Sequence, residues 1–280
     1  MNGPADVIDL LAMESVRRAG VALLVGSVGL PMIGVAIVGL DIIAVRFAMM
    51  HVALLGAAVG MLTGLDPALC GLLACAAAGA SISPLARAPE TLSGAMGLLM
   101  SLAVAAALLV LAVAGVNASA AFSLLWGSIL AVRVQDVVVL AVLAAVVSTL
   151  FWRRRRDLSL LLHDRELALV SGVAVGRLTL VLLVLIAVAV AGAIRLTGAL
   201  LVDALTLLPA LAARRLGRSL TSIISWSVGI GVCVNLVGFL SALAFDLPPG
   251  PVLVLAAGAV AFAAHLIPER RTISWHASGH

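Results

Sequence analysis

Apolar runs of about 20 residues recur along almost the whole chain, and their length leaves few folds open. "VALLVGSVGLPMIGVAIVGL" (21–40) and "SGVAVGRLTLVLLVLIAVAVAGAI" (171–194) are two of them. Such a run is what a helix needs to cross ~30 Å of hydrocarbon. In lipid the backbone must satisfy its own hydrogen bonds, so only helices and closed barrels span a membrane. The runs are continuous and do not alternate over ~10 residues, which argues against a barrel. Hydrophobic residues make up 64% of the chain and charged residues 11%, against roughly a quarter charged in soluble domains. The expectation is an all-α, polytopic transmembrane helical bundle with about 8–9 spans. They are placed at 21–40, 47–64, 69–84, 92–115, 136–152, 171–194, 197–212, 220–245 and 250–267. The segment 197–212 reads as short, or as broken near Pro209.

Residues 1–19 mix acidic and basic side chains and lack the plan of a secretory signal; they read as an amphipathic segment on the membrane surface. With no internal repeat and no low-complexity linker, residues 1–280 read as a single membrane domain. Arginine sets the orientation. The clusters Arg153 to Arg156, Arg214/Arg215/Arg218 and Arg270/Arg271 fall on one side, expected to be cytoplasmic, which puts the N-terminus outside; Arg17 and Arg18 oppose that placement. A bacterial plasma membrane is the expected location.

All 17 basic residues are arginine. A P-loop needs its lysine to reach the β- and γ-phosphates, so an ordinary ATPase site is excluded, and any ATP-driven work must draw on another subunit. Cys70, Cys75 and Cys233 all lie in expected spans without CxxC spacing, which speaks for small buried hydrophobes and against a disulfide framework. No nucleic-acid partner is expected. Gly56/Gly60 and Gly172/Gly176 have the small-xxx-small spacing that permits close helix approach in lipid.

The longest polar interruption is "RRRRDLSLLLHDRE" (153–166). A charged collar followed by an apolar stripe fits a short amphipathic helix that docks on a partner; a positive-inside anchor followed by a helix start accounts equally for the arginines.

An ionisable residue inside a span is a functional candidate by default. His51 lies about one turn into its span, and neutral imidazole is a common metal ligand. Its structural alternative is a hydrogen bond to a carbonyl on a neighbouring helix. Asp203 is flanked by apolar residues on both sides and needs a partner, such as Arg195 or Arg177, or a hydrogen bond to backbone freed near Pro209. Glu90 follows Pro89 at a helix start, where an acid also suits the helix dipole. His51 and Asp203 together would also serve as a proton relay. Neither an HExxH nor a GxSxG motif occurs.

Three stretches carry a resemblance. "GVAIVGLDIIAVRFAMMHVALLG" (34–56) resembles a pattern of a glycine, a run of valines, a basic pair and then GDALSHAxLPG, with His51 on the histidine and Gly56 on the closing glycine. In 124–173, Asp164, Glu166, Leu167 and Ala168 match FDxELA, with His163 for the phenylalanine. "TGALLVDALTLLPALAARRLGRSL" (197–220) resembles GxLLVxALLxLPAxxAR. These patterns belong to the permease subunits of bacterial zinc/manganese/iron ABC importers. The chain departs from them in places: Phe47 replaces an aspartate, Leu55 a proline, Leu40 and Asp41 the basic pair, and Asp203 stands where Ser, Asn or Ala is usual. Asp203 would then supply the carboxylate lost at Phe47, or the chain is a divergent paralogue or one half of a heterodimer.

The resemblance implies import of a divalent transition metal, with no permanently bound cofactor. It implies ATP hydrolysis on a separate cytoplasmic ABC ATPase, a second permease copy or paralogue, and an extracytoplasmic metal-binding protein. His51, Asp203 and Glu90 become candidates for the metal path. The 153–168 loop, with Asp164, Arg165 and Glu166, becomes the candidate coupling element. The alternatives are a permease for a metal chelate or vitamin, and a membrane-embedded enzyme using His51 and Asp203 as acid and base.

Overall fold

The computed structural model describes residues 9–83, 89–115 and 132–267. Ten helices are described, and no strand occurs among the described residues. They are α1 (Glu14–Gly39), α2 (Ile43–Thr63), α3 (Pro67–Ile82), α4 (Pro89–Val113), α5 (Val134–Arg153), α6 (Arg155–His163), α7 (Arg165–Val170), α8 (Val175–Leu216), α9 (Leu220–Ala244) and α10 (Pro249–Leu266). Among the described residues, seven segments are long and apolar enough to cross a membrane; α3 is a shorter apolar helix. Residues 14–19, expected to belong to a separate surface segment, form the first turns of α1. Residues 1–8 and Arg270/Arg271 lie outside the described residues.

The centre of the bundle is α1, packed against α5, α8 and α9. Every residue from Gly29 to Val38 is buried. A helix buried on all sides belongs in a core, and its small residues set how closely neighbours approach. A Cβ on Gly34 would overlap the Thr206 carbonyl oxygen of α8, and one on Gly29 would come within 2.8 Å of Ala144 Cα of α5. A Cβ on Gly56 would meet Cys70 O and one on Gly60 would meet Pro67 Cα, so this pair seats α3 on α2. Gly172 has no such role: it sits at φ +77° in the turn between α7 and α8, a conformation that favours glycine.

Buried polar groups also tie α1 to α9. Asn235 Nδ2 donates to Ser27 Oγ at 2.6 Å, and Ser27 Oγ donates to Leu23 O at 2.6 Å. One turn along, Ser227 Oγ donates to Pro31 O at 3.3 Å. The apolar pattern gives no sign of this interhelical bonding.

The 42 residues of α8 were expected to form two segments. A straight helix of that length would be about 63 Å long. Both ends nevertheless lie at the arginine-rich end of the bundle. Val175 follows α7 directly, whereas Arg214 Nη1 donates to Val38 O at the end of α1, beside Leu162 of α6. The 13 Cα-to-Cα steps from Leu162 to Val175 could reach about 47 Å even if fully extended. Near its middle, α8 contacts the opposite end, where Gly192 faces Val139 in the first turns of α5. The helix therefore bends back between Gly192 and Asp203. The reversal does not lie at Pro209, where a break was expected; Pro209 is inside the helix, which continues to Leu216.

Candidate functional site

The first turn of α2 faces the middle of α8, and this meeting brings two of the sequence candidates into one chain of contacts. Arg46 is buried, with its side chain 3% exposed, and forms an ion pair with Asp203. The partners expected for Asp203 were Arg195, Arg177 or backbone freed near Pro209; the structure pairs it with Arg46, from another helix, and the side chain of Arg195 lies outside the described residues. The Arg46 guanidinium carbon lies 4.1 Å from the centroid of the Phe47 ring, a cation–π arrangement. Its Nε and Nη2 have no hydrogen-bond partner among the described residues. The Asp203 side chain, 38% exposed, is the more exposed member of the pair, although its Oδ1, which faces Arg46, is buried.

His51 is held within the same turn. Its Nδ1 lies 2.8 Å from Phe47 O, a carbonyl of its own helix, not of a neighbour. A carbonyl only accepts, so in the neutral ring Nδ1 carries the proton and Nε2 keeps its lone pair. Nε2 is thereby prepared to accept a proton or to bind a metal ion. Asp203, Arg46, Phe47 and His51 thus follow one another in contact across the meeting of α2 and α8. No group of three or more His, Cys, Asp or Glu side chains assembles among the described residues. Glu90 lies in the first turn of α4; its side chain is outside the described residues.

Sequence reasoning missed Arg46. In the GDALSHAxLPG pattern the glycine before the aspartate falls on Arg46, so a long cation stands where the pattern has no side chain. That mismatch was the available signal.

The arginine-rich end carries a second arrangement. Helix α6 is amphipathic: Leu158 and Leu161 are buried against the bundle, while Arg154 and Asp157 pair at 3.0 Å on its exposed side. Its Leu162 packs on Gly39 at the end of α1. A cleft of about 330 Å³ opens there, lined in part by Val38, Ser159, His163, Arg214 and Arg218. Asp164 caps α7 by accepting from the N–H groups of Glu166 and Leu167 at 2.8 and 3.0 Å. Asp164 thus fixes the turn from α6 into α7, and Glu166 is exposed in the first turn of α7. Leu167, Leu169 and Val170 of α7 are also exposed, at 49%, 57% and 89%.

The fold is similar to that of PsaBC from Streptococcus pneumoniae in complex with Fab, with a TM-score of 0.81 and 24% identity, covering 96% of this chain and 98% of that one. It is also similar to a metal-chelate type ABC transporter in an inward-facing conformation, with a TM-score of 0.69, 18% identity and coverage of 89% and 84%. In sequence it is 33% identical over 103 residues to a probable metal transport system membrane protein of Thermotoga maritima, over 37% of this chain and 36% of that protein. It is 29% identical over 90 residues to the high-affinity zinc uptake system membrane protein ZnuB of Haemophilus influenzae, over 32% and 34%. The chain thus spans about a third of the length of the curated relatives it matches. The ABC 3 transport family profile matches residues 12–267, nearly the whole chain. This polytopic membrane protein therefore belongs to the ABC 3 transport family.

Proposed function

We propose that the chain is the membrane-spanning permease subunit of an ATP-driven importer that moves a divalent transition metal ion into the bacterial cytoplasm. The observation that carries this reading is the family match over residues 12–267, together with relatives named for metal transport and zinc uptake. The absence of any lysine supports an energy source on a separate ABC ATPase. In this reading the arginine-rich end is cytoplasmic. The exposed apolar residues of α7, with Arg165 and Glu166 among them, meet the ATPase, and α6 transmits its movement to the α1–α2 turn through Leu162 and Gly39. An extracytoplasmic binding protein delivers the ion to the far end, and a second permease copy or paralogue completes the path.

His51 Nε2 and the Asp203 carboxylate act as transient ligands, with Glu90 as a further candidate along the path. Nitrogen with carboxylate oxygen suits zinc and is tolerated by manganese and iron. A site on a transport path must also release its ion, which a two-ligand arrangement allows.

The test is ATP hydrolysis by the purified complex of the chain with its ATPase and binding protein, with each divalent ion added in turn. Stimulation by a free ion is expected. His51→Ala is expected to lower metal uptake at least about tenfold at unchanged membrane expression, the usual scale for losing a metal-site contact. Unaltered uptake in His51→Ala removes His51 from the path, and a response only to a chelated metal moves the assignment to a chelate permease. Substrate turnover by the isolated chain, with no ATPase present, overturns the reading altogether.

A further inference from the structure

We propose that the Arg46 guanidinium is a resident counter-cation that holds the place of the transported ion at Asp203, so the metal reaches this carboxylate only when Arg46 leaves it. This proposal rests on the metal-import reading above.

The argument begins with charge. Asp203 is the acid in the middle of the apolar helix α8, and its charge needs an opposite one nearby. The structure supplies that charge from α2, through a side chain that is 3% exposed. A divalent ion bound to the same carboxylate would sit a few ångströms from a buried guanidinium, where screening is poor and like charges repel strongly. Guanidinium and metal therefore compete for one carboxylate. Arginine suits the blocking role because it stays charged under all physiological conditions.

The pair is not locked. Arg46 Nε and Nη2 lack partners among the described residues, so this buried guanidinium is only partly satisfied, and any arrangement that paired them would be favoured over leaving them bare. Its other contact is the face of the Phe47 ring, and the same residue's carbonyl orients His51. The input is also in place: Leu162 of α6 packs on Gly39, and the tight turn through Asp41, held at φ +54°, leads directly into the first turn of α2 and Arg46. A displacement of α6 reaches Arg46 through one short turn of chain.

The experiment uses the complex of the chain with its ATPase and Co²⁺ alone as the probe, with binding measured by equilibrium dialysis. Arg46→Met keeps the apolar stem and removes the charge. It is expected to raise Co²⁺ affinity at least about tenfold over wild type, and adding Asp203→Asn is expected to abolish the gain. Where Arg46→Met fails to fold, Arg46→Gln, which keeps one hydrogen bond without the charge, carries the same expectation. A folded Arg46 variant that binds Co²⁺ no better than wild type, or a gain that survives Asp203→Asn, overturns the proposal. ATP hydrolysis is followed in parallel with the binding protein present. A wild-type complex that no metal stimulates sinks the import reading, and the gating role with it. An unchanged Co²⁺ affinity in the variants sinks the counter-cation alone.

Discussion

The two members of the Arg46–Asp203 pair are not equally exposed, and the stabilities of their variants should reflect this. Removing Asp203 strands a guanidinium whose side chain is 3% exposed, whereas removing Arg46 leaves a carboxylate whose side chain is 38% exposed. Breaking a buried pair from one side costs about 3–5 kcal/mol, mostly because the remaining charge is uncompensated. Asp203→Ala should therefore destabilise by about that amount and Arg46→Met by clearly less, read as unfolding of the purified chain in detergent. Equal losses would mean that the pair's two environments do not differ as described. The same residues show what the sequence could reveal. His51 and Asp203 stand out because an ionisable side chain flanked by apolar residues is costly. Arg46 does not, since an arginine next to a turn at a span edge reads as an interfacial anchor. Its inward reach depends on where α8 passes, which no local pattern encodes.

The helices themselves were legible because the length of an apolar run fixes a span; the start of α3, expected at 69, is instead set at Pro67 by Asp66, whose side chain accepts from the N–H groups of Ala68 and Leu69. Their packing was legible only in part. Small-xxx-small spacing pointed correctly to Gly56 and Gly60 but also to Gly172, which serves a turn. A spacing rule cannot tell a contact glycine from a conformational one, whereas the space around each glycine can. Gly34→Val and Gly56→Val force side chains into the α8 and α3 backbones respectively and should cost about 1–3 kcal/mol each through overpacking. Gly94→Ala in α4 has nothing within 4 Å and should be neutral or slightly stabilising, by up to about 1 kcal/mol from helix propensity. Thermal unfolding of the three variants in one detergent checks the contrast; a destabilised Gly94→Ala with an unaffected Gly34→Val would reverse the packing described for α1. The Ser27–Asn235 bond was invisible in the sequence because both residues are small or neutral polar groups, common in membrane helices. Its loss in Asn235→Leu should cost about 0.6 kcal/mol, the average for interhelical bonds in a membrane.

Across the whole molecule, the reversal of α8 decides which surfaces share a side. If α8 ran straight for about 63 Å, Arg218, just past its C-terminal end, would face away from His163. With the bend, Arg218, His163 and the end of α1 line one cleft, and the helices that follow place Leu247, in the α9–α10 turn, at the other end. The turn between α2 and α3 joins it there, because Pro67 packs on Gly60 in the last turn of α2. Single cysteines at these positions separate the two topologies. In a background with Cys70, Cys75 and Cys233 replaced by serine, His163→Cys and Arg218→Cys should react with a membrane-impermeant maleimide only when inverted vesicles expose the cytoplasmic face. Leu65→Cys and Leu247→Cys, whose parent side chains are 63% and 50% exposed, should react only from the outside of intact cells. The arginine bias argues for this sidedness, and the contacts of α8 argue for the grouping independently of sidedness. Labelling of all four sites from the reverse faces would invert the membrane orientation and leave the fold intact. Labelling of His163→Cys and Arg218→Cys from opposite faces would mean that α8 does not turn back. Asp203 would then lie at a different depth from Arg46, and the pair at the centre of the site could not form.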